Sequence, residues 1–317
     1  MRIAFLGSPP FAVASFAAVI DAGLEVVGLV TAPPRLAGRG RKEAPNSLVD
    51  LARAHGIPVL RPESARDQEF QNAFASWQAD LGAVVSYGQI LNAPMLELPS
   101  MGCINLHGSV LPRWRGASPV QASILAGDSY AGISLQKMVL ALDAGEVLAE
   151  ARIPLDGSEE APQLTQDLAA LGAEFLVASL RSYTAKGKLS EGTVQDESLV
   201  TTCRKIRKSD GVLDWSEPVV CLERRIRAMA GWPCGQTWLP DGSGLRVHAG
   251  SIVDISSPLG QAGTIISLEG GITVACGEGS YRIESLQREG KARMEAKAFL
   301  LGARLEVGQQ LKSKSHE

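Results

Sequence analysis

The stretch Arg2-Ile3-Ala4-Phe5-Leu6, the run Phe11 to Ala22 (FAVASFAAVIDA) and the run Glu25 to Thr31 (EVVGLVT) decide the fold of the chain. A short apolar segment, a segment of helical length and a second short apolar segment read as strand, helix and strand of a parallel βαβ unit. The rhythm continues outward. A helix near Asn46 to His55 precedes Pro58 to Leu60, a polar helix around Asp67 to Gln78 precedes Leu81 to Ser86, and Gly102 to His107 supplies the next strand. The pattern predicts a Rossmann-like, doubly wound α/β domain with a mostly parallel sheet.

Ser118-Pro119 has the form of an N-cap with proline at the first helical position, predicting a helix to about Ala126 that stops at Gly127. Gly132 to Leu140 and Glu146 to Ile153 then read as a hairpin, and Ala161 to Thr184 as a further helix. Residues 185–204 are polar, with Gly187 and Gly192 and little periodicity, and are expected to form a linker. Beyond them the spacing predicts a helix at Val219 to Ala230. Five short strands follow, at Gly235 to Leu239, Leu245 to Val253, Gly263 to Ser267, Gly271 to Ala275 and Tyr281 to Leu286, as in a small OB-like β-barrel. The expected division is 1–184, a linker at 185–204, and a C-terminal domain at 205–311.

A chain of 317 residues with 45% hydrophobic and 21% charged residues suits two globular domains rather than a disordered polymer. The net charge of -3 excludes a protein that coats nucleic acid by bulk electrostatics, so charge must be read locally. From Lys205 to Glu317 there are 15 Lys+Arg and 13 Asp+Glu, which puts the basic balance in the C-terminal part. Five scattered cysteines (Cys103, Cys203, Cys221, Cys234, Cys276) form no CxxC pair, and no run approaches the ~20 apolar residues that span a bilayer. A soluble, cytoplasmic protein without membrane association is expected.

On the strand Ile104-Asn105-Leu106-His107, alternation sends Asn105 and His107 to one face, at the carboxyl end where open α/β sheets bind ligands. An amide beside an imidazole can stabilise an oxyanion and move a proton near neutral pH. Gly108-Ser109, Pro112, Arg113 and Arg115 follow at once and are suited to gripping an anionic or amide-bearing ligand. Asp143, in Ala141-Leu142-Asp143-Ala144-Gly145-Glu146, sits at a turn that can aim a carboxylate at His107; Glu146 is the rival carboxylate, and a plain turn aspartate is the alternative. Equally, His107 can be a packing histidine and Asn105 a turn cap. The loop 31–42, with the four cations Arg35, Arg39, Arg41 and Lys42 and the two glycines Gly38 and Gly40, is suited to phosphates or is simply a solvated loop. Gly7-Ser8-Pro9-Pro10-Phe11 lacks the GxGxxG pattern, which disfavours a dinucleotide oxidoreductase, and the four histidines have no metal-binding spacing.

The run Cys103 to Pro119 (CINLHGSVLPRWRGASP), followed by Leu142-Asp143-Ala144-Gly145, resembles the signature of the methionyl-tRNA formyltransferase family. The likeness extends from Gly7-Ser8-Pro9-Pro10-Phe11 and Gly38-Arg39-Gly40 through Ser86 to Leu91, Asp214-Trp215 and Trp232-Pro233. It implies transfer of a formyl group from 10-formyltetrahydrofolate, used as a cosubstrate, to the amino group of initiator methionyl-tRNA for translation initiation, with no metal. Asn105, His107 and Asp143 would be the catalytic set. Ser109, Val110, Leu111 and Pro112 would contact folate, and Tyr87, Gly88, Gln89, Ile90 and Leu91 would form its pterin pocket. Arg39, Arg41 and Lys42 would meet the tRNA acceptor end and the C-terminal barrel would track its backbone, in a monomer. Pro34, Leu36, Ala144 and Glu146 depart from the family pattern of Asp, Pro, Thr and Asp at those places. The rival readings are a formyltransferase acting on a nucleotide-linked amino sugar, a formyltetrahydrofolate hydrolase, and a non-catalytic folate- or RNA-binding module. The basic loop favours tRNA over the first two.

Overall fold

The computed structural model describes residues 1–34, 36–37, 42–256 and 260–313. It divides into two compact units, one of Met1–Pro119, Tyr130–Pro154 and Thr165–Cys203, the other of Val120–Ser129, Leu155–Leu164 and the chain from Arg204 onward. The elements in order are β1 (Ile3–Gly7), α1 (Phe11–Asp21), β2 (Val26–Val30), β3 (Leu36–Ala37), β4 (Lys42–Glu43), α2 (Ser47–Ala54), β5 (Val59–Leu60), α3 (Gln68–Ser76), β6 (Leu81–Val85), α4 (Ala93–Glu97), β7 (Cys103–His107) and β8 (Arg115–Gly116). Then come α5 (Pro119–Ala126), β9 (Tyr130–Lys137), β10 (Val147–Pro154), α6 (Ala161–Lys186) and β11 (Thr202–Cys203).

The main sheet of the first unit runs β10-β9-β7-β6-β1-β2-β5. Its five strands from β7 to β5 are parallel, and β9 and β10 extend it as an antiparallel hairpin. The predicted doubly wound, mostly parallel sheet is thus present. Every residue of β1 and β6 is buried, because helices cover both faces of a parallel sheet. Phe5 packs on Phe16 of α1 with ring centroids 4.9 Å apart, whereas Ala4 and Leu6 share a cluster with Phe70 and Phe74 of α3 and Met95 of α4. Each of the buried Phe, Leu and Met side chains here contributes about 1.5 to 3 kcal/mol.

Two glycines bring helices close to strands. A Cβ on Gly28 of β2 would come 2.5 Å from the Trp77 ring, which follows α3, and a Cβ on Gly172 of α6 would come 2.8 Å from Leu106 of β7. The second contact presses α6 onto the strand that carries Asn105 and His107. Strand order reverses between β1 and β6, the kind of switch point beside which such sheets bind ligands. There the Ser8 hydroxyl donates to the Tyr87 carbonyl at 3.0 Å, tying the two strand exits together.

Residues 185–204 do not behave as a free spacer. Thr193 and Val147 exchange backbone hydrogen bonds at 2.8 and 2.9 Å, and β11 pairs in parallel with β8. The polar composition that suggested a linker instead supplies hydrogen-bonding side chains to the first unit.

The second unit contains α7 (Val219–Ala228), β12 (Gly235–Trp238), β13 (Gly244–Asp254), β14 (Ile265–Ser267), β15 (Ile272–Ala275), β16 (Ser280–Arg288), β17 (Met294–Glu295) and α8 (Ala296–Leu300). The antiparallel order is β12-β13-β16-β15-β14, with β17 on β16. Irregularities in the β13–β16 register bend these strands. Backbone bridges Trp238 to Lys312 and Thr264 to Gln310 then join the same segment to both sheet edges, closing the barrel that the strand spacing predicts. Trp215, 1% exposed, anchors its core and donates from Nε1 to Thr237 Oγ1 at 3.0 Å. No helix among the described residues is long and apolar enough to cross a membrane.

Candidate active site

The antiparallel pairing of β7 with β9 builds the site. Asn105 lies opposite Gln136 and His107 opposite Ser134, so the side chains of each cross-strand pair share a face. The turn between β9 and β10 brings back Asp143, in the left-handed region at φ 51°. A Cβ on Gly145 would run into the Lys137 carbonyl, so only glycine lets the turn close this tightly.

The Asp143 carboxylate, 9% exposed, accepts from Gln136 Nε2 on Oδ1 and from the Gly116 backbone N–H on Oδ2, both at 2.9 Å. Asn105 Nδ2 is 3.5 Å from Oδ1, and His107 Nδ1 is 3.7 Å from Oδ2. Asn105 and His107, proposed from one strand, therefore meet the carboxylate of Asp143, proposed from a separate turn. Glu146, the rival, is exposed, its side chain beside Gly192. His107 is buried at 7% exposure, with Nε2 2.9 Å from the Trp114 carbonyl. A carbonyl has no proton to give, so Nε2 carries the hydrogen and Nδ1 faces Asp143.

Beside this cluster is a cleft lined by Gln89, Ile90, Leu91, Gln136 and residues 138–143. Its rim leaves large apolar side chains in water: Ile90 is 67% exposed, Leu140 65% and Leu142 66%. Such side chains around a carboxylate suit a flat, largely apolar ligand with a few polar groups. Of the expected pocket residues, Gln89, Ile90 and Leu91 line the cleft. Gly88 lies between them and Tyr87, which is buried, its hydroxyl raised to about 12 by desolvation. The Gln89 amide is held by Ala65 N–H and Pro62 carbonyl at 2.7 and 3.1 Å, which fixes the wall.

Ser109, Val110, Leu111 and Pro112 do not line this cleft. The Ser109 hydroxyl donates to the Arg113 carbonyl at 2.5 Å, Leu111 N–H donates to Ser134 Oγ at 2.9 Å, and Val110 and Leu111 are buried. Arg113 stacks on Trp114 at 4.3 Å, and Arg115 is buried against Gln195 and Glu197, which removes it from the anion-gripping role that its position suggested. Arg39 and Arg41 lie outside the described residues; Lys42 is in β4, which pairs with β3.

The Cys203 thiol donates to the Trp114 carbonyl at 3.5 Å. Burial raises its thiol first, and the charge of Asp143 adds to the effect. Gln136 and Gln195 escaped the sequence reading. The first was accessible in principle, since a strand 132–140 paired with β7 sets a glutamine opposite Asn105; the second depends on a contact 52 residues away.

A formyl transferase family model matches residues 1–180, and a model for the formyl transferase C-terminal domain matches residues 205–304. The methionyl-tRNA formyltransferase of Methylococcus capsulatus is 42% identical over 300 residues, covering 95% of this chain and 96% of that protein. That of Methylobacillus flagellatus is 39% identical over 302 residues, with the same coverage. Among solved structures, the sugar 3N-formyltransferase WlaRD, crystallised with dTDP and 5-N-formyl-tetrahydrofolate, superposes with a TM-score of 0.67 at 14% identity, covering 92% of this chain and 99% of that one. The chain therefore belongs to the formyl transferase family and, within it, to the methionyl-tRNA formyltransferases.

Proposed function

We propose that Asn105, His107 and Asp143 transfer the formyl group of 10-formyltetrahydrofolate to the amino group of initiator methionyl-tRNA, giving the N-formylated tRNA used in translation initiation. The observation that carries this reading is the meeting of the three polar side chains at the edge of an apolar-rimmed cleft. The folate would enter along Gln89, Ile90, Leu91 and the 138–142 turn. Ser109 to Pro112 would serve it indirectly, by holding the exit of β7.

The methionyl amine attacks the formyl carbon on N10, and the carbonyl electron pair moves to oxygen. Asn105 Nδ2 and protonated His107 Nδ1 donate to that oxyanion, where aimed donors are worth most. The amine then sheds one proton, with Asp143 the acceptor within reach, and N10 leaves with one proton, so none is gained or lost overall. Folate supplies an already activated formyl group, and the chemistry asks for no metal.

Arg39, Arg41 and Lys42 would meet the acceptor end, and the C-terminal domain, 205–311, would follow the tRNA backbone. The same reading has the chain acting as a monomer in the cytoplasm, which suits five unpaired cysteines. The test is formyl transfer from 10-formyltetrahydrofolate to methionyl-tRNA, run beside a nucleotide-linked amino sugar and a no-acceptor control, with the parent and Arg39→Ala. Transfer to the tRNA that drops sharply in the variant supports the reading. Transfer to the sugar alone, hydrolysis without acceptor, or folate binding without turnover would each replace it with the corresponding rival.

A further inference from the structure

The turn that carries Asp143 is held from behind by one side chain. Gln195, 6% exposed, donates both hydrogens of its amide, one to the Asp143 carbonyl at 2.8 Å and one to the Gly145 carbonyl at 2.7 Å. Its Oε1 accepts from Arg115 Nε at 3.0 Å, and the Arg115 guanidinium is held by Glu197 at 2.8 Å. Arginine only donates, so the amide cannot turn over without setting oxygen against two carbonyl oxygens and nitrogen against a guanidinium. The orientation is therefore determined by Arg115.

This arrangement answers a specific difficulty. Asp143 sits at φ 51°, a conformation that a side-chain-bearing residue keeps only when its surroundings over-determine it. Its own carbonyl and that of Gly145, two residues on, are clamped by Gln195, while its carboxylate is clamped by Gln136 and Gly116. The segment bearing Gln195 is itself fixed by Thr193 on Val147 and by the Arg115 N–H on the Thr201 carbonyl at 2.9 Å.

We infer that Gln195, oriented by Arg115, is a positioning residue for Asp143, which makes residues 193–203 a working part of the active site. The inference rests on the catalytic role of Asp143 proposed above. Misplacing a reacting group by about 1 Å costs on the order of 100-fold, and losing two of the clamps on the turn permits that much movement.

The experiment compares kcat and KM for 10-formyltetrahydrofolate and methionyl-tRNA in the parent, Gln195→Met, Asp143→Asn and the double variant. Methionine keeps the length of glutamine and removes both donors. The expected result is a kcat about 10- to 100-fold lower in Gln195→Met with both KM values within about 3-fold, and less than about 3-fold further loss when the substitution is added to Asp143→Asn. A Gln195→Met enzyme within about 2-fold of the parent, beside a crippled Asp143→Asn, overturns the inference and leaves the function standing. So does a loss that repeats in full on Asp143→Asn, since that is a structural effect independent of the carboxylate. Near-parent activity of Asp143→Asn removes the catalytic reading itself. Should Gln195→Met melt below the assay temperature, Glu197→Gln, which alters only an exposed carboxylate, carries the same comparison: a kcat loss of about 3-fold that vanishes on Asp143→Asn supports the inference, and its persistence there overturns it.

Discussion

His107 Nε2 donates to the Trp114 carbonyl at 2.9 Å, and this one bond assigns the two ring nitrogens different tasks. With Nε2 committed to the backbone, Nδ1 alone can gain or lose a proton toward Asp143 and a developing oxyanion. His107→Ala should therefore lower kcat by about 100- to 1,000-fold while KM for the folate donor stays within about 3-fold, as for loss of one oxyanion donor. Single-turnover formyl transfer checks it. A loss confined to KM would make the ring a binding group only.

Asn105 faces Asp143 Oδ1 at 3.5 Å in a largely buried setting. Asn105→Asp would set a second carboxylate beside the first, and like charges in one site raise the affinity of the pair for a proton. In the folded state the pair then holds a proton above the ordinary carboxylate range, while the unfolded chain has released it. Stability is consequently lost as pH rises above about 4 and the loss is complete once the folded pair has ionised. Urea unfolding at pH 5.5 and pH 8 should show the Asp variant losing more stability relative to the parent at the higher pH, with Asn105→Ala flat across the same range. An equal loss at both would mean the two carboxylates do not interact.

Much of this site was legible in the sequence because it rests on local rules. Alternation along β7 places Asn105 and His107 on one face, and the glycine in Leu142-Asp143-Ala144-Gly145 marks a tight turn. What was not legible depends on pairing between distant segments. Arg115 reads as a guanidinium free to hold an anion, and only the fold reveals that Gln195 and Glu197, 80 and 82 residues later, occupy it. Residues 185–204 read as spacer for the same reason: polar side chains carry no periodicity, yet they can satisfy buried carbonyls. Closure of the C-terminal barrel was likewise decided outside the predicted strands, by residues near 310 that bridge both edges.

The buried thiols give the protein a sensitivity to high pH. Burial pushes Cys103 and Cys276 from about 9 up to about 12. Above pH 9 the unfolded chain ionises these thiols and the folded one does not, so the folded state binds more protons and stability falls with rising pH until about 12. The slope is up to about 1.4 kcal/mol per pH unit for each thiol. Cys103→Ala should lessen the slope of unfolding free energy between pH 9 and 10.5, whatever it costs in packing. In native protein at pH 8, a thiol reagent should react first with exposed Cys221 and reach Cys103 and Cys276 only on unfolding. Fast labelling of either would mean that the sheet opens locally.

Gly145 joins the chemistry to the backbone most directly. A methyl group there would meet the Lys137 carbonyl, and the obstacle is main chain of β9, which cannot rotate aside as a side chain can. Gly145→Ala must therefore push the turn outward, and Asp143 moves with it because Gln195 grips the carbonyls of both residues. Overpacking of this kind costs about 1 to 3 kcal/mol of stability, which a domain of this size survives. The same shift takes the Asp143 carboxylate off Gln136 and Gly116, so turnover should drop by about 100-fold, out of proportion to the stability loss. Thermal melting and kcat measured on one preparation distinguish the cases. If kcat merely tracks the folded fraction, the placement of Asp143 tolerates far more movement than its four clamping hydrogen bonds imply.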